Sequence, residues 1–115
     1  MSRVTTHVLD TSVGRPAEGV PVRLERSAPD GGGWEQVGRG TTDADGRLAG
    51  LAPEGRRLAG GRYRLSFDTA AYFTRSGRRA FYPEVSIVFE IEDGEDHHHV
   101  PLLLSPYGYS TYRGS

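Results

Sequence analysis

Apolar and polar side chains alternate along most of this chain with a period of two residues, which is the spacing of a β-strand that buries one face. The alternation is strongest from Val85 to Ile91, and it recurs in shorter runs at residues 4–9, 20–25 and 62–67. Glycine, proline and aspartate cluster between these runs, as they do in turns. The pattern therefore predicts about seven or eight short strands joined by tight turns.

One stretch breaks the two-residue period. Residues 68–73 do not alternate, and Asp68 is of a type that caps helix N-termini, so one short helix is predicted there. Asp45-Gly46 is a compact turn signal that presents Arg47 directly after it. Many short strands with a single helical interruption indicate the all-β class and a β-sandwich. Because no linker or internal repeat divides the chain, residues 1–115 are predicted to form one domain.

The last long predicted strand, residues 97–104, begins with three consecutive histidines. Successive side chains of a strand point to opposite faces, which divides this strand into two sets. One set is His97, His99, Pro101 and Leu103, and the other is His98, Val100, Leu102 and Leu104. After His98, the second set is entirely apolar, as expected for a face that packs into the core. We expect another subunit to cover the first set, because a small antiparallel domain covers only one side of its sheet.

Composition narrows the classes of function. The net charge is −1 over 115 residues, which gives no reason to expect nucleic acid or an anionic membrane as a partner. There is no apolar run of bilayer-spanning length and no signal-peptide core in residues 1–20, so a cytoplasmic location is expected. Cysteine and lysine are absent, which excludes disulfides, thiolate chemistry and Schiff bases. Asparagine is absent too, which fits a G+C-rich coding sequence and hence a bacterial source.

Four motifs carry a resemblance to a known family. They are Thr6-His7-Val8-Leu9-Asp10 with Gly14-Arg15-Pro16-Ala17, Thr42-Asp43-Ala44-Asp45-Gly46-Arg47, Phe81-Tyr82-Pro83-Glu84-Val85, and His97-x-His99-Val100-Pro101-Leu102-Leu103-Leu104-Ser105-Pro106 ending in Tyr112-Arg113-Gly114-Ser115. In these motifs the chain resembles the 5-hydroxyisourate hydrolases, the transthyretin-related proteins of purine breakdown. The resemblance runs from Val4 to Ser115, and its terminal tetrapeptide is highly specific.

This resemblance implies a fold, an assembly and a reaction. The fold is a transthyretin-like β-sandwich of two four-stranded sheets with one short helix. The assembly is a homotetramer with substrate sites in a channel at the dimer–dimer interface. The reaction is the hydrolysis of 5-hydroxyisourate to 2-oxo-4-hydroxy-4-carboxy-5-ureidoimidazoline, a step between urate and allantoin, and it implies no cofactor. Such a step needs a base for water and a cation for the oxyanion, which suits histidine and arginine.

The resemblance also implies which residues act. Carried over residue by residue, it makes His7, Arg47 and His99 the catalytic set. Either His7 or His99 would activate the water, and the other would hold the water or the substrate. The implied substrate-binding residues are His97, Tyr112 and Ser115.

Two alternatives to a metal-free hydrolase stay open at this point. His7, His97 and His99 could ligate zinc and leave one open position, although the resemblance implies a metal-free reaction. The sandwich could also be a noncatalytic carrier or binding module, for which an apolar channel lining is expected. His98 departs from the family pattern, which often has an aromatic residue there. Because it lies on the opposite strand face from His97 and His99, we expect no change in the chemistry from it.

Overall fold

Within the described residues, 3–53 and 57–115, this computed structural model contains nine strands and one helix. The strands are β1 (Arg3–Asp10), β2 (Arg15–Pro16), β3 (Pro21–Ser27), β4 (Trp34–Thr41), β5 (Arg47–Leu48), β6 (Gly61–Phe67), β7 (Val85–Ile91), β8 (His97–Ser105) and β9 (Gly108–Thr111). The helix, α1 (Thr69–Arg75), starts where the sequence predicts it. Its N-cap is Asp68, whose carboxylate accepts a hydrogen bond of 3.0 Å from the Ala71 N–H.

The strands form two sheets. The first sheet has the order β2-β1-β8-β9, and β5 pairs with β1 as well. In this sheet β1 and β8 run parallel, and the other pairs run antiparallel. The second sheet is antiparallel and has the order β4-β3-β6-β7. The two long strands that carry the histidines are therefore neighbours, although they lie at opposite ends of the chain.

The core lies between the two sheets and follows the predicted alternation. On β1 the buried residues are every second one, and on β8 the inner face is buried from His98 onward. The largest fully buried side chains include Tyr63, Phe67 and Phe73, which come from β6 and α1. Full burial of one such side chain contributes roughly 1.5–3 kcal/mol. This packing leaves the other face of β1 and β8 outside the core.

The predicted all-β sandwich with one short helix is confirmed. The second sheet has the four expected strands, whereas the first has four in its order and the additional two-residue strand β5. Residues 49–61 are rich in glycine, alanine and proline, which predicts a loop, and they fall partly outside the described residues, which omit 54–56. In the described parts of the chain, no helix has the length and apolar character needed to cross a membrane.

Candidate active site

Three strands of the first sheet bring the predicted catalytic residues to one face. In the parallel pair of β1 and β8, Thr5 lies opposite His99, so His7 follows two residues later on the same face. In the antiparallel pair of β1 and β5, Arg47 lies directly opposite His7. Directly opposed residues place their Cβ atoms about 5 Å apart on the same side of the sheet. The face turned away from the core therefore collects two imidazoles and a guanidinium from three strands.

The turn before β5 places Arg47 there. Gly46 has a φ of 74°, a left-handed conformation that favours glycine. Its N–H donates to the Asp43 carbonyl and its carbonyl accepts from the Val8 N–H at 2.7 Å. A Cβ at position 46 would collide with the Val8 carbonyl oxygen. The tight Asp45-Gly46 turn thus lies directly against β1, and Arg47 follows it at the β1 edge.

The C-terminal tail folds back over β8. Gly114 forms an isolated bridge with His99, and its N–H donates a 2.8 Å hydrogen bond to the His99 carbonyl. A Cβ at position 114 would overlap the His99 imidazole, so the close approach of the tail requires glycine. Pro101, expected on the outward face, is buried, and the same tail lies against it. Part of the cover expected from another subunit is therefore supplied by the chain itself.

A cleft of about 270 Å³ opens on this face. Its lining includes four of the six predicted site residues together with Thr5. The four are Arg47, His97, His99 and Ser115. His7 lies beside this cleft opposite Arg47, whereas Tyr112 is 59% exposed and lines a neighbouring cleft with Ile87 and Phe89. The structure thus brings together most of the predicted set and places Tyr112 on the other side of His99, which lines both clefts.

The two histidines of the cleft share one hydroxyl group. Thr5 Oγ1 lies 2.8 Å from Nδ1 of His99 and 3.4 Å from Nε2 of His97. The two rings are stacked, with centroids 6.4 Å apart and planes inclined by 23°. The sequence analysis did not identify Thr5 as a site residue. The available signal was its position two residues before His7 on the same strand face.

The environment of His99 favours its neutral form. Burial lowers the pKa of its imidazole, and so do the positive charges of three neighbours. These neighbours are His97, Arg47 and His7. Since an unperturbed histidine has a pKa near 6.5, a lowered pKa leaves the ring mostly unprotonated at neutral pH. A neutral imidazole beside a permanent guanidinium charge can accept a proton from water while the cation stabilises developing negative charge.

A second polar cluster, formed by Glu95, His98 and Arg113, anchors the tail. Glu95 Oε2 accepts a 2.9 Å hydrogen bond from Arg113, and Glu95 Oε1 lies 3.3 Å from Nε2 of His98. The Arg113 hydrogen bond, the backbone N–H of Glu92 and the contact with His98 lower the pKa of Glu95 to about 2. His98 is buried on the inner face, opposite to His97 and His99, as its position in the strand predicts. The sequence analysis missed Glu95, which no strand pattern or motif marks.

The zinc alternative requires several ligands at one point. Among residues 3–53 and 57–115, no three histidine or acidic side chains come close enough together to hold a metal ion. His97 and His99 instead point their ring nitrogens Nε2 and Nδ1 at the hydroxyl of Thr5. The geometry of the described residues therefore gives the three-histidine zinc site no support.

Comparison with known proteins identifies the family. The profile described as "HIUase/Transthyretin family" matches residues 4–114 of this chain. The chain belongs to the HIUase/transthyretin family. This confirms the resemblance found in the sequence motifs, and the match spans all of the described strands except the first residue of β1.

Relatives within the HIUase/transthyretin family include both hydrolases and transthyretins. The 5-hydroxyisourate hydrolase of Salmonella typhimurium is 47% identical over 112 residues, which are 97% of this chain and 80% of that protein. The structure of Klebsiella pneumoniae 5-hydroxyisourate hydrolase has a TM-score of 0.84 at 44% identity and covers 100% of both chains. Sea bream transthyretin in complex with thyroxine has a TM-score of 0.88 at 36% identity, over 96% of this chain and 93% of that one. The predicted transthyretin-like fold is thereby confirmed.

Proposed function

We propose that this protein hydrolyses 5-hydroxyisourate to 2-oxo-4-hydroxy-4-carboxy-5-ureidoimidazoline, a step in the degradation of urate to allantoin. The observation that carries the proposal is the cleft in which His97, His99, Arg47 and Ser115 meet. Relatives named for this activity, such as the Salmonella typhimurium protein, support the choice of substrate. In the reaction, water adds to a ring carbonyl, the adjacent C–N bond breaks, and the departing nitrogen takes up a proton.

His99 is the better candidate for the base that activates water. It lines the cleft, and its pKa is lowered by burial and by neighbouring positive charges. A positioned general base contributes roughly 10²–10⁴-fold to a rate. Arg47 would stabilise the oxyanion that forms when water adds, because its guanidinium stays charged. His7 lies opposite Arg47 and would hold the water or the substrate. His97 and Ser115 would bind the substrate in this cleft, and Tyr112 would do so from the neighbouring cleft that His99 also lines.

The proposal extends to the assembly. We expect residues 1–115 to act as one domain in a homotetramer, with each site closed at a dimer–dimer interface. The open cleft on the outer face of the first sheet supports this, because a ring-opening reaction needs a site partly shielded from water. Leu103 on the same face is only half-buried in one copy. A cytoplasmic location in a bacterium fits the bacterial relatives and is part of the same proposal.

The second candidate is a noncatalytic carrier. It is favoured by the high structural similarity to sea bream transthyretin, which binds thyroxine in its crystal structure. The composition of the cleft separates the two functions. Arginine, imidazole and hydroxyl groups line it beside Leu48 and Ala49, whereas a carrier of apolar ligands is expected to have a wholly apolar lining.

A direct assay tests the proposal. Urate oxidase generates 5-hydroxyisourate in solution, and its decay is followed by ultraviolet absorbance with and without the protein. We expect wild-type protein to accelerate the decay, and His99→Ala or Arg47→Glu to lower kcat/KM at least about 100-fold, in line with the loss of a general base or an oxyanion partner. Arg39→Glu is the matched charge reversal, since Arg39 is exposed on β4 of the other sheet.

The outcomes separate the two candidates. Normal activity in Arg39→Glu would show that charge reversal by itself is harmless. Unchanged decay in the presence of folded wild-type protein would reject the hydrolase and leave the carrier. Full activity in both His99→Ala and Arg47→Glu would place the reaction at a different site.

A further inference from the structure

The hydroxyl of Thr5 contacts both histidines of the cleft. Thr5 is the residue of β1 that lies directly opposite His99 in the parallel pair, and its side chain shares the outward face with His7. Its hydroxyl oxygen is 2.8 Å from Nδ1 of His99 and 3.4 Å from Nε2 of His97. The hydroxyl thus lies between the two imidazoles of β8, and it engages a different ring nitrogen on each.

Two arrangements arise when the Thr5 hydroxyl accepts a hydrogen bond from one imidazole and donates one to the other. A neutral imidazole has one N–H and one lone pair, and a threonine hydroxyl has one proton to donate. In the first arrangement His99 Nδ1–H donates to Thr5, and the hydroxyl donates to Nε2 of His97. In the second arrangement both hydrogen bonds run the other way, and His99 carries its proton on Nε2.

The surrounding charge favours the first arrangement. The permanent positive charge of Arg47 acts on the His99 ring, and both residues line the same cleft. Cationic neighbours are better accommodated by a lone pair than by another N–H donor. With Nδ1 bound to Thr5, the nitrogen left for the cleft is Nε2. At 2.8 Å, the contact between Thr5 Oγ1 and Nδ1 of His99 is a well-formed hydrogen bond.

We propose that Thr5 is a positioning residue that keeps the proton of neutral His99 on Nδ1 and so leaves Nε2 as the base that faces the substrate. Its hydroxyl in turn donates a hydrogen bond to Nε2 of His97. The hydrogen bond made by one ring nitrogen of a histidine commonly determines the state of the other. The consequence for catalysis rests on the proposed function, whereas the position of the proton can be measured without any substrate.

Nuclear magnetic resonance provides the first test. Two-bond ¹H–¹⁵N correlation spectra of ¹⁵N-histidine-labelled protein in mildly alkaline buffer distinguish the two neutral tautomers. The His99 signals are assigned by their loss in His99→Gln. We expect wild type and Thr5→Ser to show the Nδ1–H form, and Thr5→Val, which removes only the hydroxyl, to show a mixture of forms. Observation of the Nε2–H form in wild type, or an unchanged tautomer in Thr5→Val, would overturn the inference.

Thr6→Val is the matched control. Thr6 is the next residue of β1 and points to the opposite face, where its hydroxyl donates to the Val100 carbonyl at 2.6 Å. This substitution also removes a hydroxyl that joins β1 to β8, but it touches neither imidazole. We expect a lower melting temperature in Thr6→Val with the His99 tautomer unchanged. A shift of tautomer in Thr6→Val equal to that in Thr5→Val would mean that the effect is general loosening of the strand pair, against the inference.

Steady-state kinetics provides the second test. Loss of the partner that orients a reacting histidine reduces rates by about 10- to 100-fold or more. We expect Thr5→Val to lower kcat by about that factor with KM changed less than about threefold, and Thr5→Ser to restore most of kcat. If wild-type protein does not hydrolyse 5-hydroxyisourate, the proposed function is wrong and the spectra alone decide the role of Thr5. If wild type is active and Thr5→Val retains full kcat, the catalytic part of the inference is wrong.

Discussion

At the scale of single residues, the protonation of His99 is the property that most directly controls the proposed reaction. Burial and the charges of His97 and Arg47 contribute to a pKa below the ordinary histidine value. A base must be unprotonated, so activity is lost as pH falls through that pKa. We expect kcat/KM to rise with pH through an apparent pKa below about 6.5 and to level off by neutral pH.

An NMR titration of the His99 ring checks the same expectation without turnover. Arg47→Gln removes one positive charge near the ring, so it should raise the pKa of His99 relative to wild type. Arg39→Gln, on the other sheet, should leave that pKa unchanged. A wild-type pKa of His99 at or above the ordinary histidine value would contradict the favoured neutral state.

Asp10 is a second residue whose charge matters, in this case for stability. Its carboxylate is fully buried at the end of β1 and accepts hydrogen bonds from Ser12, Tyr72 and Arg78. Burial would raise the pKa of Asp10, but the hydrogen bonds outweigh burial, and the pKa lies below its ordinary value of 3.8. A lowered carboxyl pKa contributes stability above the unfolded-state pKa, and this contribution is lost as pH falls through the folded-state pKa.

Asp10→Asn should therefore destabilise the fold most at neutral pH. We expect a decrease of about 3 kcal/mol in the free energy of unfolding, because Arg78 loses its charged partner. The difference from wild type should shrink below about pH 4, where the unfolded wild-type carboxyl takes up a proton before the folded one does. Urea denaturation at fixed protein concentration measures it, with the exposed Asp45→Asn as control. Equal losses in both variants would contradict the role of the buried network.

At the scale of elements, the tail can lie close against β8 because residue 114 is a glycine. A Cβ at position 114 would overlap the His99 ring and approach Pro101 Cγ to 3.3 Å. Gly114→Ala should therefore displace the tail or the imidazole and lower kcat/KM about tenfold or more, while the melting temperature changes little. Gly108→Ala in β9 is the control, because the nearest atom to its added Cβ, Ser105 Oγ, is 3.9 Å away. Similar kinetics in the two alanine variants would show that the tail tolerates the added methyl group.

The strands themselves were predictable from the sequence, but their pairing was not. The two-residue period predicts which residues of β1 and β8 are buried, and the structure agrees at Thr6, Val8 and Val100. The parallel register of Thr5 with His99 joins residues 94 apart in the chain, and no local pattern encodes such a contact. Tertiary hydrogen bonding rather than periodicity therefore determines the role of Thr5. Arg47 could be placed after a turn, whereas its position opposite His7 required the structure or the family resemblance.

The C-terminal tail could be identified from its motif, but its contacts could not be predicted from the sequence. A terminal segment of this composition has no pattern that predicts order, and the motif alone marked it as part of a site. In the structure it is held by the Gly114–His99 bridge and by the Arg113–Glu95 ion pair at 2.9 Å. The motif therefore located the right segment, while the contact with Glu95 and the separate cleft of Tyr112 emerged only from the three-dimensional structure.

At the scale of the whole molecule, the proposed assembly makes the activity depend on contacts between copies. Leu103 lies on the outer face of the first sheet, the face that holds the cleft, and is only half-buried within one copy. In the proposed tetramer a partner covers this face and shields the cleft from water. A charge introduced there would oppose assembly, because its burial without a partner is strongly unfavourable.

Leu103→Glu should therefore dissociate the assembly and reduce activity together. We expect a smaller species by sedimentation velocity and a kcat/KM at least about tenfold lower, with the circular dichroism spectrum retained, since the proposed site depends on exclusion of water. Gln36→Glu adds the same charge at an exposed position of β4 in the other sheet, so it should leave both the size and the activity unchanged. If Leu103→Glu were monomeric and fully active, one copy would suffice for catalysis. The cleft of the first sheet would then be complete as the single chain folds it, and the tail rather than a partner would supply the cover that the reaction needs.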